Sequence, residues 1–213
     1  MSLTGEDAPI AIVPLKALDE AKSRLAGHLD QAQRRELTAW MLSRVLAACR
    51  AARSLGDVLV VAGDEAAALL ARRLRADVIL EPLPGLPAAM ATADRATAGA
   101  PATLVVAADL PLAAPGDLDA VCRAGGNDAC VVVSPTRDGG TAALLRRPGA
   151  VIATLYGAGS AAAHLRAGRQ AGVQALRVRR AGLALDVDTA EDLRAAGRRD
   201  RRIARFVPGL SAG

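Results

Sequence analysis

The chain is 213 residues long with a formal net charge of +5, and 52% of it is apolar, with only one Trp, one Tyr and one Phe. That length suits a single domain with a substantial core. Three widely spaced cysteines and two histidines exclude a disulfide framework, a Cys-x-x-Cys zinc site and a His-rich metal cluster. The scarcity of aromatics likewise argues against a base-stacking platform for single-stranded nucleic acid.

No apolar run reaches the ~20 residues of a membrane span, and Met1–Pro9 is polar and acidic rather than basic and apolar. The expectation is a soluble, cytoplasmic protein, monomeric or homodimeric, with no membrane or nucleic-acid partner. Much of the positive excess lies in Arg198, Arg199, Arg201, Arg202 and Arg205. Residues 197–213 therefore read as an Arg-rich tail, solvated or frayed, after a domain spanning 1–196.

Ile10–Leu15 reads as the first strand, and the loop after it carries Lys16, Lys22 and Arg24. Asp30 suits the N-cap of a helix to about Arg53, with Leu37, Met41, Val45 and Cys49 at every fourth position. Trp40 lies beside that stripe and reads as core. Asp57–Ala62 is a buried strand, followed by a helix over Glu65–Arg75 and a short strand at Asp77–Leu80. The proline-rich segment 82–87 is a loop, with Pro87 suited to the first turn of the next helix.

Thr103–Ala108 is an unbroken small or aliphatic run, the pattern of a strand covered on both faces. It leads into Asp109, Leu110 and Pro111, which places Asp109 at the carboxyl edge of a central strand, where open α/β sheets bind ligands. A helix near Asp117–Arg123 follows, then strands at Ala129–Ser134 and Ala142–Arg146 around the turn Asp138-Gly139-Gly140-Thr141. Tyr156–Ser160 precedes a helix to about Ala171, Val173–Val178 is the last strand, and Thr189 caps a final short helix. This alternation defines an α/β fold, a single domain built on a mostly parallel sheet with helices on both faces. G-x-G-x-x-G after the first strand, the Walker P-loop and G-x-S-x-G are all absent.

Three features can converge at the carboxyl edge of such a sheet. Lys16, Lys22 and Arg24 can neutralise a triphosphate, lysine as a point charge and arginine as a fork. Asp109, Asp186 and Asp188 are oxygen donors suited to Mg²⁺, and the last two project to one side of an extended segment. The loops Gly139-Gly140-Thr141 and Gly157–Ser160 let backbone N–H groups approach an anion. Taken singly, the same residues also fit a solvated basic face, a helix cap and two ordinary glycine turns.

Taken together, in order over about residues 9–196, they resemble a known family. Pro-Leu-Lys, Ala-Lys-Ser-Arg-Leu-Ala, Ala-Asp-Leu-Pro-Leu, Asp-Gly-Gly-Thr, Gly-x-Gly-Ser and Leu-Ala-Leu-Asp-Val-Asp-Thr are similar to the 2-phospho-L-lactate/phosphoenolpyruvate guanylyltransferases of coenzyme F-420 biosynthesis. The resemblance implies a nucleotidyltransferase version of the glycosyltransferase-A-like fold, as in nucleotide-diphospho-sugar transferases. It implies Lys16, Lys22, Arg24 and Gly85 on GTP, with Lys22 and Asp109 catalytic. Asp109, Asp186 and Asp188 would hold Mg²⁺, and Thr141, Gly157 and Ser160 would bind a phosphorylated three-carbon acid.

Departures from the family pattern fall at Pro87 and Ala142, where the family has Asn, and around Tyr156–Ala161, where it has Phe-Gly-Pro-Gly-Ser-Phe. Two other activities fit the same residues. One is nucleotidyl transfer to 3-phosphoglycerate or a molybdopterin, and the other is non-catalytic GTP binding.

Overall fold

The computed structural model describes residues 7–207 apart from Pro82 and Pro84, so residues 1–6, two prolines of the 82–87 loop and the last six tail residues, 208–213, lie outside the described residues. Seven strands form one sheet: β1 (Ile10–Leu15), β2 (Val58–Ala62), β3 (Asp77–Leu80), β4 (Thr103–Val106), β5 (Cys130–Pro135), β6 (Thr141–Arg147) and β7 (Gln174–Arg177). They lie in the order β3-β2-β1-β4-β6-β5-β7. β6 runs antiparallel to both β4 and β5, while the other neighbouring pairs are parallel. The sheet is thus mostly parallel, and the reversal of β6 follows from its short connection to β5. Only five residues, 136–140, separate the two strands, too few for a parallel crossover.

Helices α1 (Gln31–Ala51), α2 (Glu65–Arg73) and α4 (Pro115–Ala124) cover one face, α3 (Leu86–Ala96) and α5 (Ser160–Gln170) the other. The central strands are buried on both sides, which is why their sequences read as aliphatic runs rather than alternating ones. Their side chains still divide by parity: Ala11 and Val13 of β1, with Leu104 and Val106 of β4, face α1 and α4, whereas Ile12 and Val105 face α3 and α5. Cys49, Cys122 and Cys130 are free thiols and all belong to the α1/α4 side. Burial pushes the thiols of Cys49 and Cys122 up to about 12.

Asp30 caps α1 by a reciprocal pair: its carboxylate accepts from Gln33 N at 2.8 Å, and Gln33 Oε1 accepts from Asp30 N at 2.9 Å. Thr189 caps α6 (Ala190–Gly197) in the same manner with Asp192. β4 stops at Val106, three residues short of Asp109, after which the chain turns out of the sheet.

The tail differs from the sequence expectation as far as the structure describes it. α7 (Arg201–Ala204) and the residues after it pack Ile203, Phe206 and Val207 against Leu25, Leu29, Leu37, Met41, Leu185 and Val187. The arginines face solvent, but the apolar residues spaced between them do not. Trp40 belongs to the same cluster, its ring centroid 6.2 Å from that of Phe206.

On the opposite face, Arg146 of β6 is fully buried and ties α3 to the sheet. It donates to both carboxylate oxygens of Asp94, at 2.6 and 3.2 Å, and also to Thr103 Oγ1 and the Ile152 carbonyl. Removing one partner of such a pair strands a charge in the interior. Asp94→Ala should therefore destabilise the fold by about 3 kcal/mol, read as a lower urea midpoint at unchanged m-value.

Candidate functional site

The carboxyl ends of β1 to β5 open onto one cavity of about 880 Å³. It sits where the strand order reverses between β1 and β4, the position at which open α/β sheets take ligands. Lys16, Lys22, Arg24, Gly85, Asp109, Thr141, Gly157, Ser160, Asp186 and Asp188 all line it. The structure thus brings together these ten candidate residues, while Gly139 and Gly159 of the two glycine loops are outside the lining. Of the two missing family amides, position 87 lines the cavity. Ala142 is instead buried in the α1/α4 core.

The loop after β1 is fixed at both ends. Gly63 N donates to the Leu15 carbonyl at 2.8 Å, and a Cβ on Gly63 would come within 3.0 Å of Ala17 N, so the two loops meet backbone to backbone. Asp64 caps α2 through Ala67 N with one oxygen and holds Leu18 N at 3.1 Å with the other. The chain then turns through Lys22, whose φ of 56° is in the left-handed region uncommon for a side-chain-bearing residue.

That turn drives the Lys22 ammonium into the carboxylate set. Nζ donates to Asp109 Oδ2 at 2.6 Å and to Asp188 Oδ1 at 2.8 Å, with 9% of the side chain exposed. Burial alone would push the Lys22 ammonium down, but the charges of Asp109 and Asp188 outweigh it and hold the group above its ordinary range. Asp188 behaves in mirror image: burial raises its carboxyl, and Lys22, Arg24 and Lys16 together bring it below the usual range. Arg24 reaches Asp188 only loosely, at 3.5 Å, and is largely exposed over the cavity mouth.

Among the described residues Asp186 has no such partner. Burial first, and then the neighbouring charge of Asp109, push its carboxyl up to about 6. Leu185 and Val187, on either side of it, are buried in the cluster under α7, so Asp186 and Asp188 are left to face the cavity. The Val187 N–H donates to the Asp109 carbonyl at 3.2 Å, which fastens this segment to the loop after β4.

Among the described residues no three His, Cys, Asp or Glu side chains form a ready-made metal cluster. Lys22 stands between Asp109 and Asp188. The donor chemistry nevertheless fits a hard divalent cation, because Asp186 and Asp109 repel one another and Mg²⁺ usually takes one or two carboxylates plus substrate phosphates.

The opposite wall is lined by hydroxyl groups and glycine backbone, with one carboxylate, Asp138. Gly157 adopts a φ of 135°, which side-chain-bearing residues rarely reach, and α5 begins at Ser160 without a side-chain cap. Thr141 Oγ1 lies 2.9 Å from Ser160 Oγ and 3.1 Å from His164 Nδ1. His164 Nε2 accepts from Leu155 N at 2.7 Å, so the neutral ring carries its proton on Nδ1 and donates it to Thr141. Thr141 can then donate to Ser160, which leaves the Ser160 hydroxyl proton for a ligand. Asp138 completes this wall, accepting from Thr136 Oγ1 and from Gly140 N, and those bonds keep its carboxyl low.

His164 and Asp138 are the residues that sequence reasoning did not assign to the site. The spacing of Ser160 and His164, four residues apart on one helix face, was the available signal for the first.

A cavity at the switch point of a mostly parallel sheet, with cationic and anionic walls, defines a nucleotidyltransferase-like protein. The fold matches a Desulfovibrio desulfuricans G20 protein described as a nucleotide-diphospho-sugar transferase, with a TM-score of 0.71 at 14% identity, covering 96% of this chain and 99% of that one. Residues 10–196 match the guanylyl transferase CofC-like family, and the chain belongs to it. It is similar to the phosphoenolpyruvate guanylyltransferase of Rubrobacter xylanophilus, 42% identical over 187 residues, covering 86% of this chain and 90% of the relative. The phosphoenolpyruvate guanylyltransferase of Sphaerobacter thermophilus is 36% identical over 186 residues, with the same two coverages. Among the described residues no helix is long and apolar enough to cross a membrane.

Burial, and then the positive charge of Arg146, hold His164 down to about 4, against 6.5 for a free imidazole. Between those values the unfolded chain binds a proton that the folded chain refuses. The contribution of His164 to stability is therefore complete above pH 6.5 and is lost as the pH falls toward 4. Denaturant stability in that window should fall more steeply for the wild type than for His164→Asn, by up to about 1.4 kcal/mol per pH unit. Equal slopes would show that the ring is protonated in the fold.

Proposed function

We propose that this chain is a Mg²⁺-dependent guanylyltransferase that transfers GMP from GTP to phosphoenolpyruvate or 2-phospho-L-lactate and releases pyrophosphate, in coenzyme F-420 biosynthesis. The observation that carries this reading is the convergence of ten residues from separate loops on one cavity, cationic and anionic on one side and hydroxyl-lined on the other. The names of the relatives favour phosphoenolpyruvate as the acceptor.

An oxygen of the acceptor phosphate attacks the α-phosphorus of GTP in line, and the bond to the pyrophosphate leaving group breaks. A phosphate monoester is already largely ionised at pH 7, its second pKa being about 6. The attack consequently needs no general base from the chain, and His164 serves as a positioning group. What the chain must supply is alignment and positive charge.

Lys16 and the exposed Arg24 take the triphosphate, while Gly85, at the start of α3, lets backbone approach the nucleotide. Lys22, already charged and fixed by two carboxylates, lies against the reacting phosphates. Thr141, Ser160 and the Gly157 backbone hold the acceptor, with Ser160 donating its free proton. Asp109, Asp186 and Asp188 would hold Mg²⁺, which when bound neutralises charge on the nucleotide and acceptor phosphates.

The test is pyrophosphate release from GTP with phosphoenolpyruvate, 2-phospho-L-lactate and 3-phosphoglycerate offered separately. Release is expected with phosphoenolpyruvate and should be abolished by EDTA. Silence with all three, while GTP still raises the melting temperature, would make the chain a non-catalytic GTP-binding relative.

Within the site, Asp109→Asn should lower kcat by about 10²-fold or more in protein that still folds. Lys22→Ala should both raise the KM for GTP and lower kcat. Near-wild-type constants for either variant would remove that residue from the reaction.

A further inference from the structure

A second cavity, of about 440 Å³, lies behind the first turn of α5, on the far side of the Thr136–Gly140 turn from the nucleotide cavity. Arg137, Arg177 and Arg179 line it, and its remaining wall is neutral, contributed by alanine, glycine, proline and Thr136. Among the described residues no carboxylate is in its lining. Among the described residues none of the three guanidinium groups takes part in an ion pair. The contrast with neighbouring arginines is direct: Arg180 is paired with Asp117 at 2.9 Å and Arg146 with Asp94 at 2.6 Å.

The backbone enforces this convergence. Val178 N donates to the Val133 carbonyl at 2.9 Å, which continues the pairing of β7 with β5 and turns Val178 toward the α1/α4 core. Arg177 and Arg179, one residue to either side, are thereby sent to the α5 side. Arg137 N donates to the Ala184 carbonyl at 3.0 Å and closes the cavity from below. Three like charges held around one concavity focus a positive potential in it, and arginine forks match phosphate oxygens two at a time. The volume lies within the usual range of small-molecule sites, about 300–1,000 Å³.

We infer that this cavity is a second anion site, taking a small molecule through a phosphate or diphosphate group and distinct from the nucleotide cavity. Its walls are also the supports of the nucleotide cavity. Thr136 lines both cavities, Ala161 N donates to the Gly139 carbonyl next to Ser160, and Ala184 lies two residues before Asp186. An anion bridging Arg137, Arg177 and Arg179 ties the turn that carries Asp138 to the end of β7, and the backbone bonds of that turn to Ala161 and Ala184 connect it with the segments of Ser160 and Asp186.

The test is calorimetric titration of the full chain with pyrophosphate, and separately with inorganic phosphate, at constant ionic strength. Wild type is expected to bind pyrophosphate saturably at two sites. The Arg177→Gln/Arg179→Gln double variant, altered at exposed positions and checked for an unchanged melting temperature, should lose one of them. A Lys16→Gln/Arg24→Gln variant should retain that one and lose the other.

Phosphate competing at the retained site would mark a single-phosphate ligand, and pyrophosphate binding without competition a diphosphate ligand. Unchanged stoichiometry in the Arg177→Gln/Arg179→Gln protein, or heat that follows ionic strength without saturation, would overturn the proposal. Should the double variant melt early, Arg137→Gln alone must reproduce at least about a tenfold loss of affinity at the second site. Because these are binding measurements, they stand whether or not GTP is turned over.

Discussion

The ammonium of Lys22 holds together three segments that are remote in sequence: its own loop after β1, the loop after β4 through Asp109, and the stretch before α6 through Asp188. Burial opposes the charge, and the two carboxylates restore it, so the arrangement is stable only as a whole. Withdrawing either carboxylate leaves the buried ammonium with a single partner. The left-handed backbone at Lys22 is tolerated because both ends of its loop are fastened, to Gly63 on one side and by the burial of Leu25 on the other. The rest of the cavity is arranged around that fixed positive charge, with exposed cations at the mouth and hydroxyl groups on the opposite wall.

Beneath this charged layer lies an apolar one in the same register. Leu185 and Val187 alternate with Asp186 and Asp188, and Leu25 follows Arg24, so each functional side chain has a buried neighbour that anchors it. The anchors meet at Ile203, Phe206 and Val207, beyond the residues matched by the family. The apolar partners of the site thus extend past the part of the chain that shares its sequence pattern.

Much of this was legible in the sequence because the signals are local. Aliphatic runs gave the strands, Asp30 and Thr189 gave the caps, and the i, i+2 spacing of Asp186 and Asp188 put both on one side. Signals requiring a distant partner were not legible. Nothing near Arg146 announces Asp94, and nothing near Lys22 announces that two carboxylates will enclose it. Two features could have been read and were not. The five residues between β5 and β6 permit only a hairpin, and the apolar residues between the tail arginines, at 203, 206 and 207, have helical spacing. A strong charge pattern hid the weaker apolar one.

The distribution of the thiols makes the two faces of the sheet distinguishable from outside. Cys49, Cys122 and Cys130 all lie in the core beneath α1 and α4, and none lies beneath α3 and α5 or in the cluster around Phe206. Loosening of the α5 side, where the acceptor wall and the arginine-lined cavity are, leaves every thiol covered. Only a separation of α1 or α4 from the sheet uncovers sulfur. The chain therefore carries a natural label for opening of its structural face, silent to breathing of its ligand-binding one.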